Sequence, residues 1–380
     1  MWRWTKVAFL LGGWVAAQEE VPTRLVVYDD LLDRFFQIKA WSRFSSSIAR
    51  PDTLSHLRLE GEVPDLSRFP NLQALYLSDI EELDLPTLIT ALRKYCPKLR
   101  ILALEDCDIE DVSPILELRL QGLLLDGNPI QDFTALQKLS GLQFLSLART
   151  PLREVSWLSS LATLRGLDLS ETAVTDLSPL SQLPQLRMIA LYKCSGISTF
   201  TPLTSLPQIE FLNISFTNPA AVQPFLRQLT RFTAMKVFQA QGVITDPSIL
   251  SQLSQLSQLE ELTLGQNPAI NNLEFVRPLK RLLYLDVHRC SVKDLSPLAG
   301  LPLLVKLSIG KNQVTSIAPL TQCPRLQELY CYDNPIEDWE KLLDIPSLSY
   351  VMVSKREVSS EKFAGIKPLL RKKGIRVDAP

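Results

Sequence analysis

Leucines recur along most of the chain at spacings that repeat as a unit. The segment Leu164–Pro184 reads LRGLDLSETAVTDLSPLSQLP, and the same phrase begins again at Leu186, 22 positions after Leu164. The pair Leu167 and Leu169 has the two-residue period of a strand, whereas the leucines at 177, 180 and 183 have the three-residue spacing of a 3₁₀ turn. Each unit is therefore predicted to be a strand, a tight corner and a short helical return.

This unit is a leucine-rich repeat. Its leucines lie on one side and need neighbouring units to cover them, so the units must stack into a solenoid. The fold class predicted is α/β: a curved parallel sheet on the concave face, short 3₁₀ or α returns on the convex face, and helical caps. About fourteen coils are predicted over residues 54–356, with first strand positions at Leu54, Leu72, Leu99, Leu120, Leu142, Leu164, Leu186, Ile209, Met235, Leu259, Leu282, Leu304, Leu326 and Leu348.

Two coils, 72–99 and 209–235, are longer than the others. Pro86–Tyr95 is predicted to be a helix, whereas Thr217–Thr233 departs from the repeat and contains two prolines. We expect such insertions in loops or on the convex side and interpret them as irregular packing; a functional role is the alternative.

Polar residues mark the turns of each coil. The returns begin Asp-x-Ser-Pro, as at Asp176–Pro179, which predicts a serine hydroxyl as N-cap and proline at the first helical position. Asn, Thr or Cys occupies the corner after the strand, as at Asn128, Thr172 and Cys194. We expect these corner side chains to bond backbone groups and to form a structural column along the stack.

The two ends of the chain do not carry the repeat. Residues 1–17 have a basic start, a short apolar run and Ala16–Ala17 as a cleavage site, which predicts a secretory signal peptide and an exported protein, periplasmic or secreted. The alternative, a membrane anchor, is disfavoured because the run is about half of the ~20 residues that span a bilayer. Residues 18–53 are predicted to be an N-terminal cap with a helix over Tyr28–Phe44; a partner-binding helix is the alternative. Residues 357–380 are predicted to be a C-terminal cap with a helix over Ser359–Lys373.

The charges nearly cancel, with 40 Lys and Arg against 41 Asp and Glu. This balance argues against nucleic-acid binding that depends on neutralising phosphates. No segment after the first apolar run is predicted to span a membrane.

Six cysteines in an exported chain raise the question of disulfides. Their positions in the repeat indicate that they are inward structural residues of separate coils, so we expect six buried free thiols. A disulfide between Cys323 and Cys331 is the alternative. The six are Cys96, Cys107, Cys194, Cys290, Cys323 and Cys331.

The sequence contains little that suggests catalysis. Its two histidines, His56 and His288, belong to coils predicted to lie on the order of 50 Å apart at ~4.8 Å per strand. There is no HExxH, CxxC pair, glycine-rich phosphate loop or GxSxG motif. We expect no enzyme activity, no cofactor and no metal site.

The pattern LxxLxLxxNxIxDLSPLxxLPxL, seen at Leu164–Leu186, Leu282–Leu304 and Leu304–Leu326, resembles the 22-residue repeats of bacterial internalins and of the phosphatase-regulator type. This resemblance covers roughly residues 54–356 and implies the fold. It further implies that a protein partner binds the concave face of the sheet.

Alternation along each strand identifies the outward side chains of each coil. The early coils place acids there (Asp79, Glu105, Asp106, Asp126), and the late coils add bases such as Lys311 and Lys355. Tyrosine and arginine are enriched in binding hot spots, although strand propensity alone also places aromatic residues on sheets. The predicted partner-binding residues are Phe144, Met188, Tyr192, Phe211, Phe216, Tyr284, His288, Arg289, Tyr330, Tyr332 and Tyr350.

These observations together predict an exported, non-enzymatic scaffold that binds a protein through its concave face. The alternative is carbohydrate or cell-wall recognition by the same face, because aromatic rings beside Asp and Asn can stack sugars. The glycosylation sequon Asn213–Ser215 would obstruct the centre of this face if it were modified in a eukaryotic secretory pathway.

Overall fold

The computed structural model describes residues 42–43 and 50–379. The predicted signal peptide lies outside this part of the chain, as does the predicted helix Tyr28–Phe44 except for two residues. Those two, Ser42–Arg43, form a strand that pairs in parallel with Leu57 and Arg58. The predicted helix is therefore wrong at its C-terminal end, where the chain joins the sheet.

One parallel sheet runs along the described chain, and its strands follow one another in sequence order. Neighbouring strands pair with leucine opposite leucine, as Leu167 pairs with Leu145 and Ile189. The sixteen strands are β1 (Ser42–Arg43), β2 (His56–Glu60), β3 (Ala74–Ser78), β4 (Ile101–Glu105), β5 (Gly122–Leu124), β6 (Phe144–Ser146), β7 (Gly166–Asp168), β8 (Met188–Ala190), β9 (Phe211–Asn213), β10 (Val237–Gln239), β11 (Glu261–Thr263), β12 (Tyr284–Asp286), β13 (Lys306–Ser308), β14 (Glu328–Tyr330), β15 (Tyr350–Met352) and β16 (Arg376–Asp378).

The core is a continuous apolar column between this sheet and the returns. All six leucines of the unit, at 164, 167, 169, 177, 180 and 183, are fully buried. Each coil covers the leucines of the next. The stabilisation from burying apolar surface, ~25 cal/mol per Å², therefore comes from contacts between coils and not from within one coil. The predicted leucine-rich-repeat solenoid is confirmed.

Most returns are 3₁₀ helices, as the three-residue spacing predicts. In the described chain they span Pro51–Thr53, Leu66–Arg68, Ser113–Glu117, Thr134–Lys138, Ser156–Ser160, Ser178–Gln182, Thr201–Ser205, Leu229–Arg231, Pro247–Ile249, Glu274–Val276, Ser296–Leu298, Ala318–Gln322 and Trp339–Asp344.

The predicted serine cap of these returns is wrong. Ser178 is itself the first residue of its 3₁₀ helix, and its backbone N–H donates to Oδ1 of Asp176 at 2.8 Å. Asp294 accepts the N–H of Ser296 in the same way, also at 2.8 Å. The aspartate two residues earlier caps the turn, because its carboxylate reaches the exposed N–H groups and complements the helix dipole.

A residue with left-handed backbone follows the strand of each regular coil, and these residues form a rim along the sheet. This conformation is uncommon outside glycine, so its recurrence reflects a sharp corner imposed by the repeat. The rim residues have φ between 51° and 78°: Gly61, Asp79, Asp106, Gly127, Arg149, Glu171, Lys193, Phe216, Gly242, Gln266, Arg289, Lys311 and Asp333.

The buried corner side chain that follows the rim satisfies the backbone of two coils. Asn312 donates to the carbonyl oxygens of Val287 (2.8 Å) and Ile309 (2.9 Å) and accepts from the N–H of Val292 (3.0 Å). Thr172 donates to the carbonyl oxygen of its own coil, at Leu169 (2.6 Å). Asparagine therefore joins adjacent coils, whereas this threonine hydrogen bond stays within its own coil.

Each long coil contains an α-helix, which replaces the 3₁₀ turn in the first long coil and precedes the 3₁₀ turn Leu229–Arg231 in the second. Helix α1 (Leu85–Tyr95) is the predicted one, capped by Asp84, which accepts the N–H of Thr87 at 3.1 Å. The second segment, whose loss of the repeat predicted irregular packing, contains the helix α2 (Pro219–Leu226). Asn218 caps it and Pro219 occupies its first turn, so a standard start signal was present in the sequence.

Three further helices are described. A short turn, α3 (Leu250–Leu253), lies in the ninth coil. At the C-terminus, α4 (Lys355–Val358) and α5 (Glu361–Lys372) follow β15, so Lys355 lies in a helix and not on a strand. After α5 the chain forms β16, which pairs with β15 and extends the sheet. The C-terminal cap therefore consists of helices and a final strand.

All six cysteines are free thiols in this structure, and Cys323 and Cys331 are not bridged. Five are buried and Cys290 is half-buried. Burial raises the pKa of Cys96, Cys107 and Cys323 to about 11 and that of Cys290 to about 12. These thiols are therefore neutral near pH 7.

Candidate partner-binding face

The outward residues of the strands form three columns beside the rim. Counted from the first leucine of a coil, they lie two, four and six positions on, and the rim lies seven positions on. The predicted residues fall as follows: Phe144, Met188, Phe211, Tyr284 and Tyr350 in the first column; Tyr330 in the second; Tyr192, His288 and Tyr332 in the third; Phe216 and Arg289 on the rim.

A group of rings and charges, the tyrosine patch, occupies β12 to β15. It consists of Tyr284, Lys306, Glu328, Tyr330 and Tyr350. The Lys306 ammonium lies 5.2 Å from the ring centre of Tyr284 and 5.0 Å from that of Tyr330, and 3.6 Å from the Glu328 carboxylate. Tyr330 donates its hydroxyl to Glu328 at 3.0 Å and packs against Tyr350 at 5.5 Å between ring centres.

Cation–π and ring contacts of this kind hold side chains in one arrangement before a partner arrives. Only 18 % of the Lys306 side chain is exposed. Its ammonium therefore serves mainly to hold the surrounding side chains in place and is poorly accessible to a partner. The tyrosine rings remain half-buried and thus partly accessible.

Burial raises the pKa of Tyr350 to about 12 and raises the pKa of Tyr284, Tyr330 and Tyr332 above its ordinary value. Nearby carboxylates, among them Asp286 and Glu328, add to the effect. These phenols therefore stay protonated and can donate hydrogen bonds.

Beside the patch, His288 is held by a carboxylate. Its Nδ1 lies 2.9 Å and 3.0 Å from the two oxygens of Asp286, and its backbone N–H donates to Asp286 at 2.9 Å. Gln241 donates to the second oxygen of Asp286 at 3.2 Å, so the carboxylate is fixed from two strands. His288 is therefore a hydrogen-bonding group that Asp286 holds in position.

Glycines make room for the rings of the third column and the rim. A Cβ added to Gly310 would overlap the Tyr332 ring, and one added to Gly265 would overlap the His288 ring. The Phe216 ring lies over Gly242 in the same way, with a Cβ there meeting it at 3.0 Å. Each aromatic side chain thus lies over the glycine of an adjacent coil.

The middle of the face carries a smaller aromatic pair. Tyr192 and Phe216 meet edge to face with ring centres 5.6 Å apart, and the Lys193 ammonium lies 4.9 Å from the Tyr192 ring. Met188 packs at the margin of a buried group that includes Phe211.

Two predicted partner-binding residues are not accessible. Phe144 is completely buried and Phe211 is 8 % exposed, although both point outward from the sheet. The prediction that these two rings are available to a partner is therefore wrong. The other nine residues are half-buried or exposed.

Acidic residues lie on the early coils. Burial raises the pKa of Asp126 well above its ordinary value, and the Glu105 and Asp168 carboxylates raise it further. Asp126 accepts hydrogen bonds from Ser146 Oγ (2.5 Å) and from the Ala148 N–H (3.1 Å).

On the rim, Arg149 forms a two-point ion pair with Asp106, with N–O distances of 2.7 Å and 3.0 Å. Within the described residues, no group of three or more His, Cys, Asp or Glu side chains has the arrangement of a metal site. The same part of the chain contains no helix that is long and apolar enough to cross a membrane.

Sequence reasoning missed the residues that arrange the rings. Lys306 has no aromatic neighbour in the sequence and meets Tyr284 and Tyr330 only across strands. Asp286 lies two positions before His288, and nothing in the sequence indicated that it holds that ring. The glycines at 265 and 310 carried a usable signal, because each occupies an outward position one coil before a large aromatic residue at the equivalent place.

Comparison with known proteins agrees with this architecture. The family model for leucine-rich repeats (2 copies) matches residues 302–344. An internalin (inlF) from Listeria monocytogenes superposes with a TM-score of 0.58 at 21 % identity, covering 86 % of this chain and 87 % of that one. No curated protein sequence matches the chain.

Two further solved structures share the fold. One is the mouse RP105/MD-1 complex, with a TM-score of 0.53 at 16 % identity over 86 % of this chain and 57 % of that one. The other is the ectodomain of the Arabidopsis thaliana receptor kinase GASSHO1/SCHENGEN3 in complex with CASPARIAN STRIP INTEGRITY FACTOR 2. Its TM-score is 0.52 at 17 % identity, over 86 % of this chain and 46 % of that one.

Proposed function

We propose that this chain, a leucine-rich-repeat solenoid similar in fold to an internalin, binds a protein partner through the concave side of β12 to β15. The observation that carries this proposal is the tyrosine patch with its Lys306. Tyrosine rings that are already held by neighbours lose little conformational entropy on binding, so they favour association.

The third column and the rim extend this surface. His288, Arg289 and Tyr332 lie beside the patch and offer hydrogen-bond donors of three kinds around the rings. A surface with aromatic groups at its centre and polar groups at its margin is the usual composition of a protein interface.

The proposal includes export after cleavage near Ala17. It is motivated by the basic and apolar start of the sequence. Fractionation of cells that produce the full chain, followed by N-terminal sequencing of the mature form, tests it. A product that stays in the cytoplasm with residues 1–17 attached contradicts this part of the proposal. It does not bear on the proposed binding face.

The binding face is tested by replacing Tyr330 and Tyr332 with Ala together. The full chain and this variant serve as baits for crosslinking capture from the envelope fraction of the source cells, and the captured protein is then purified and titrated. We expect the dissociation constant to rise by at least about tenfold, which corresponds to ~1.4 kcal/mol. Leu369→Ala is the control, since Leu369 is exposed by 50 % on α5 and not on the concave face.

Two results oppose the proposal. In the first, the double variant binds as well as the parent while its melting temperature falls, which makes the tyrosines structural. In the second, a glycan array run in parallel binds the parent and loses binding in the variant, with no protein captured. That outcome establishes carbohydrate recognition by the same face.

A further inference from the structure

The C-terminal cap concentrates positive charge. Residues 355–378, the basic cap, form α4, α5 and β16 and contain eight Lys and Arg against three Asp and Glu, a net charge of +5. The whole chain has a net charge of −1, so all the other residues together carry −6. The basic cap is therefore opposite in charge to the rest of the chain.

The acids of the basic cap neutralise little of its surface charge. Glu357 is buried and accepts the backbone N–H of Asn334 at 3.0 Å. Asp378 pairs with Arg376 at 2.7 Å. Of the three acids, only Glu361 is exposed and outside any ion pair of the described residues.

Most cations of the basic cap have no such partner. Lys373 donates to the carbonyl oxygens of Leu343 and of Ile345, the latter at 3.4 Å, so it is part of the fold. Apart from Lys373 and Arg376, the cations of the basic cap are exposed or half-buried, and no carboxylate of the described residues forms an ion pair with them. They are Lys355, Arg356, Lys362, Lys367, Arg371 and Lys372.

Several basic side chains of the repeat array, in contrast, pair with a carboxylate one coil away. Lys193 pairs with Glu171 at 3.2 Å, and Lys236 pairs with Glu210 at 2.7 Å. Each such pair reduces the field that a charged partner meets. The cations of the basic cap are available instead, because docking them on an anion breaks no ion pair of the fold.

We propose that the basic cap binds the surface of an anionic lipid bilayer. Clustered Lys and Arg are attracted by the negative potential of such a surface, and each charge near it adds to the attraction. Lipid headgroups present phosphates over a broad area, which suits cations that are spread over two helices. The contact does not use the concave side of β12 to β15.

The composition of the basic cap favours a bilayer over a nucleic acid or a protein. Proteins that bind single-stranded nucleic acid use exposed aromatic rings on which bases stack, whereas the single aromatic residue of the basic cap, Phe363, is completely buried. A protein interface has an apolar centre, and the basic cap exposes one large apolar side chain, that of Leu369. Attraction to an anionic bilayer requires only the clustered charge.

Binding to vesicles by matched charge variants tests the proposal. The full chain is titrated with vesicles of phosphatidylglycerol and phosphatidylcholine in equal parts, and with vesicles of phosphatidylcholine alone. Bound protein is measured by co-sedimentation at ~0.1 M salt. The cap variant combines Lys362→Glu, Arg371→Glu and Lys372→Glu.

The control variant makes the same change of charge outside the basic cap and combines Arg119→Glu, Lys138→Glu and Arg153→Glu. These three side chains are also exposed. The nearest, Arg153, lies about eight strands before β15, on the order of 40 Å at ~4.8 Å per strand. This separation exceeds the Debye length of ~10 Å at ~0.1 M salt, so the control charges act little on a surface bound at the cap.

We expect the parent to bind the anionic vesicles at least about tenfold more tightly than the vesicles without phosphatidylglycerol. The cap variant should lose at least about tenfold in affinity for the anionic vesicles, and the control variant less than about twofold. Binding of the parent should also weaken at ~0.5 M salt, because exposed charges are then screened.

Four results overturn the proposal. The parent binds both kinds of vesicle equally, or the cap and control variants lose equal affinity. The parent binds a duplex DNA fragment more tightly than the anionic vesicles, which assigns the charge to nucleic acid. The variant with Tyr330→Ala and Tyr332→Ala loses vesicle binding, which places the contact on the concave face.

Glutamate near a helix C-terminus opposes the helix dipole, and two of the three substitutions lie in the last turn of α5. Where the cap variant does not fold, as judged by circular dichroism, Lys362→Gln, Arg371→Gln and Lys372→Gln replace it, with glutamine also in the control. A loss of at least about threefold is then expected, and no loss overturns the proposal. No protein partner takes part in this experiment, so its result is independent of the binding proposed for β12 to β15.

Discussion

The Tyr332 ring lies over Gly310, one coil earlier in the same column, where a Cβ would overlap it. We expect Gly310→Ala to lift the ring and weaken partner binding by about tenfold, or ~1.4 kcal/mol. The free energy of unfolding should change by less than about 1 kcal/mol, because glycine loses more conformational entropy on folding than alanine does.

Titration of the captured partner checks this, with Gly141→Ala as control. A Cβ at Gly141 meets only the carbonyl oxygen of Leu120, at an ordinary 3.7 Å. Unchanged affinity in Gly310→Ala would show that the position of the Tyr332 ring is not important for binding.

The corner asparagines should contribute more to stability than any exposed polar residue. Asn312→Ala removes the groups that satisfy Val287, Val292 and Ile309 and leaves them buried without partners. We expect a loss on the order of 3 kcal/mol in urea denaturation. Asn312→Thr should lose less, since Thr172 shows that threonine can still donate to its own coil.

Asn271 is exposed and provides the control. Asn271→Ala should change the free energy of unfolding by less than about 0.5 kcal/mol. Equal losses at positions 271 and 312 would contradict the assignment of the corner residue as a link between coils.

Asp126 should make stability depend on pH. Its pKa in the folded chain is raised above the unfolded value, so it favours folding below about pH 4 and loses that contribution as the pH rises through the folded pKa. Asp126→Asn keeps an oxygen acceptor for Ser146 and Ala148 without the charge. We expect the variant to have the higher urea midpoint at pH 8, with the difference shrinking at acid pH.

Asp106→Asn is the comparison, because it removes a carboxylate paired with Arg149. That variant should show no such gain at pH 8. A lower midpoint for Asp126→Asn at pH 8 would mean that the charged form of Asp126 stabilises the fold.

The cysteines should be unreactive in the folded chain. Burial raises their pKa, for example to about 11 at Cys323, so few thiolates exist at pH 8. We expect six thiols to react with a colorimetric disulfide reagent in denaturant without reductant, and almost none before unfolding. Because the folded pKa exceeds the unfolded value, stability should also fall between about pH 9 and 11. Fewer than six thiols in denaturant would reveal a disulfide.

The repeat itself could be derived from the sequence. The positions of Leu164, Leu167 and Leu169 determine which side chains enter the core, because the periods of a strand and of a 3₁₀ turn are properties of the backbone. The same periods identified the corner residues and the helix α1. The second long coil was predicted less well, since its departure from the leucine pattern drew attention away from the Asn218–Pro219 start signal.

Exposure was decided only by tertiary structure. The sequence alone placed Phe144 and Tyr284 in one outward column, and it could not show that one is buried and the other half-open. Nor could it place Lys306 between Tyr284 and Tyr330, or show that Asp176 and not Ser178 caps a return. Backbone periodicity determines the direction of a side chain, whereas its surroundings depend on residues one or more coils away, which meet only when the solenoid is stacked.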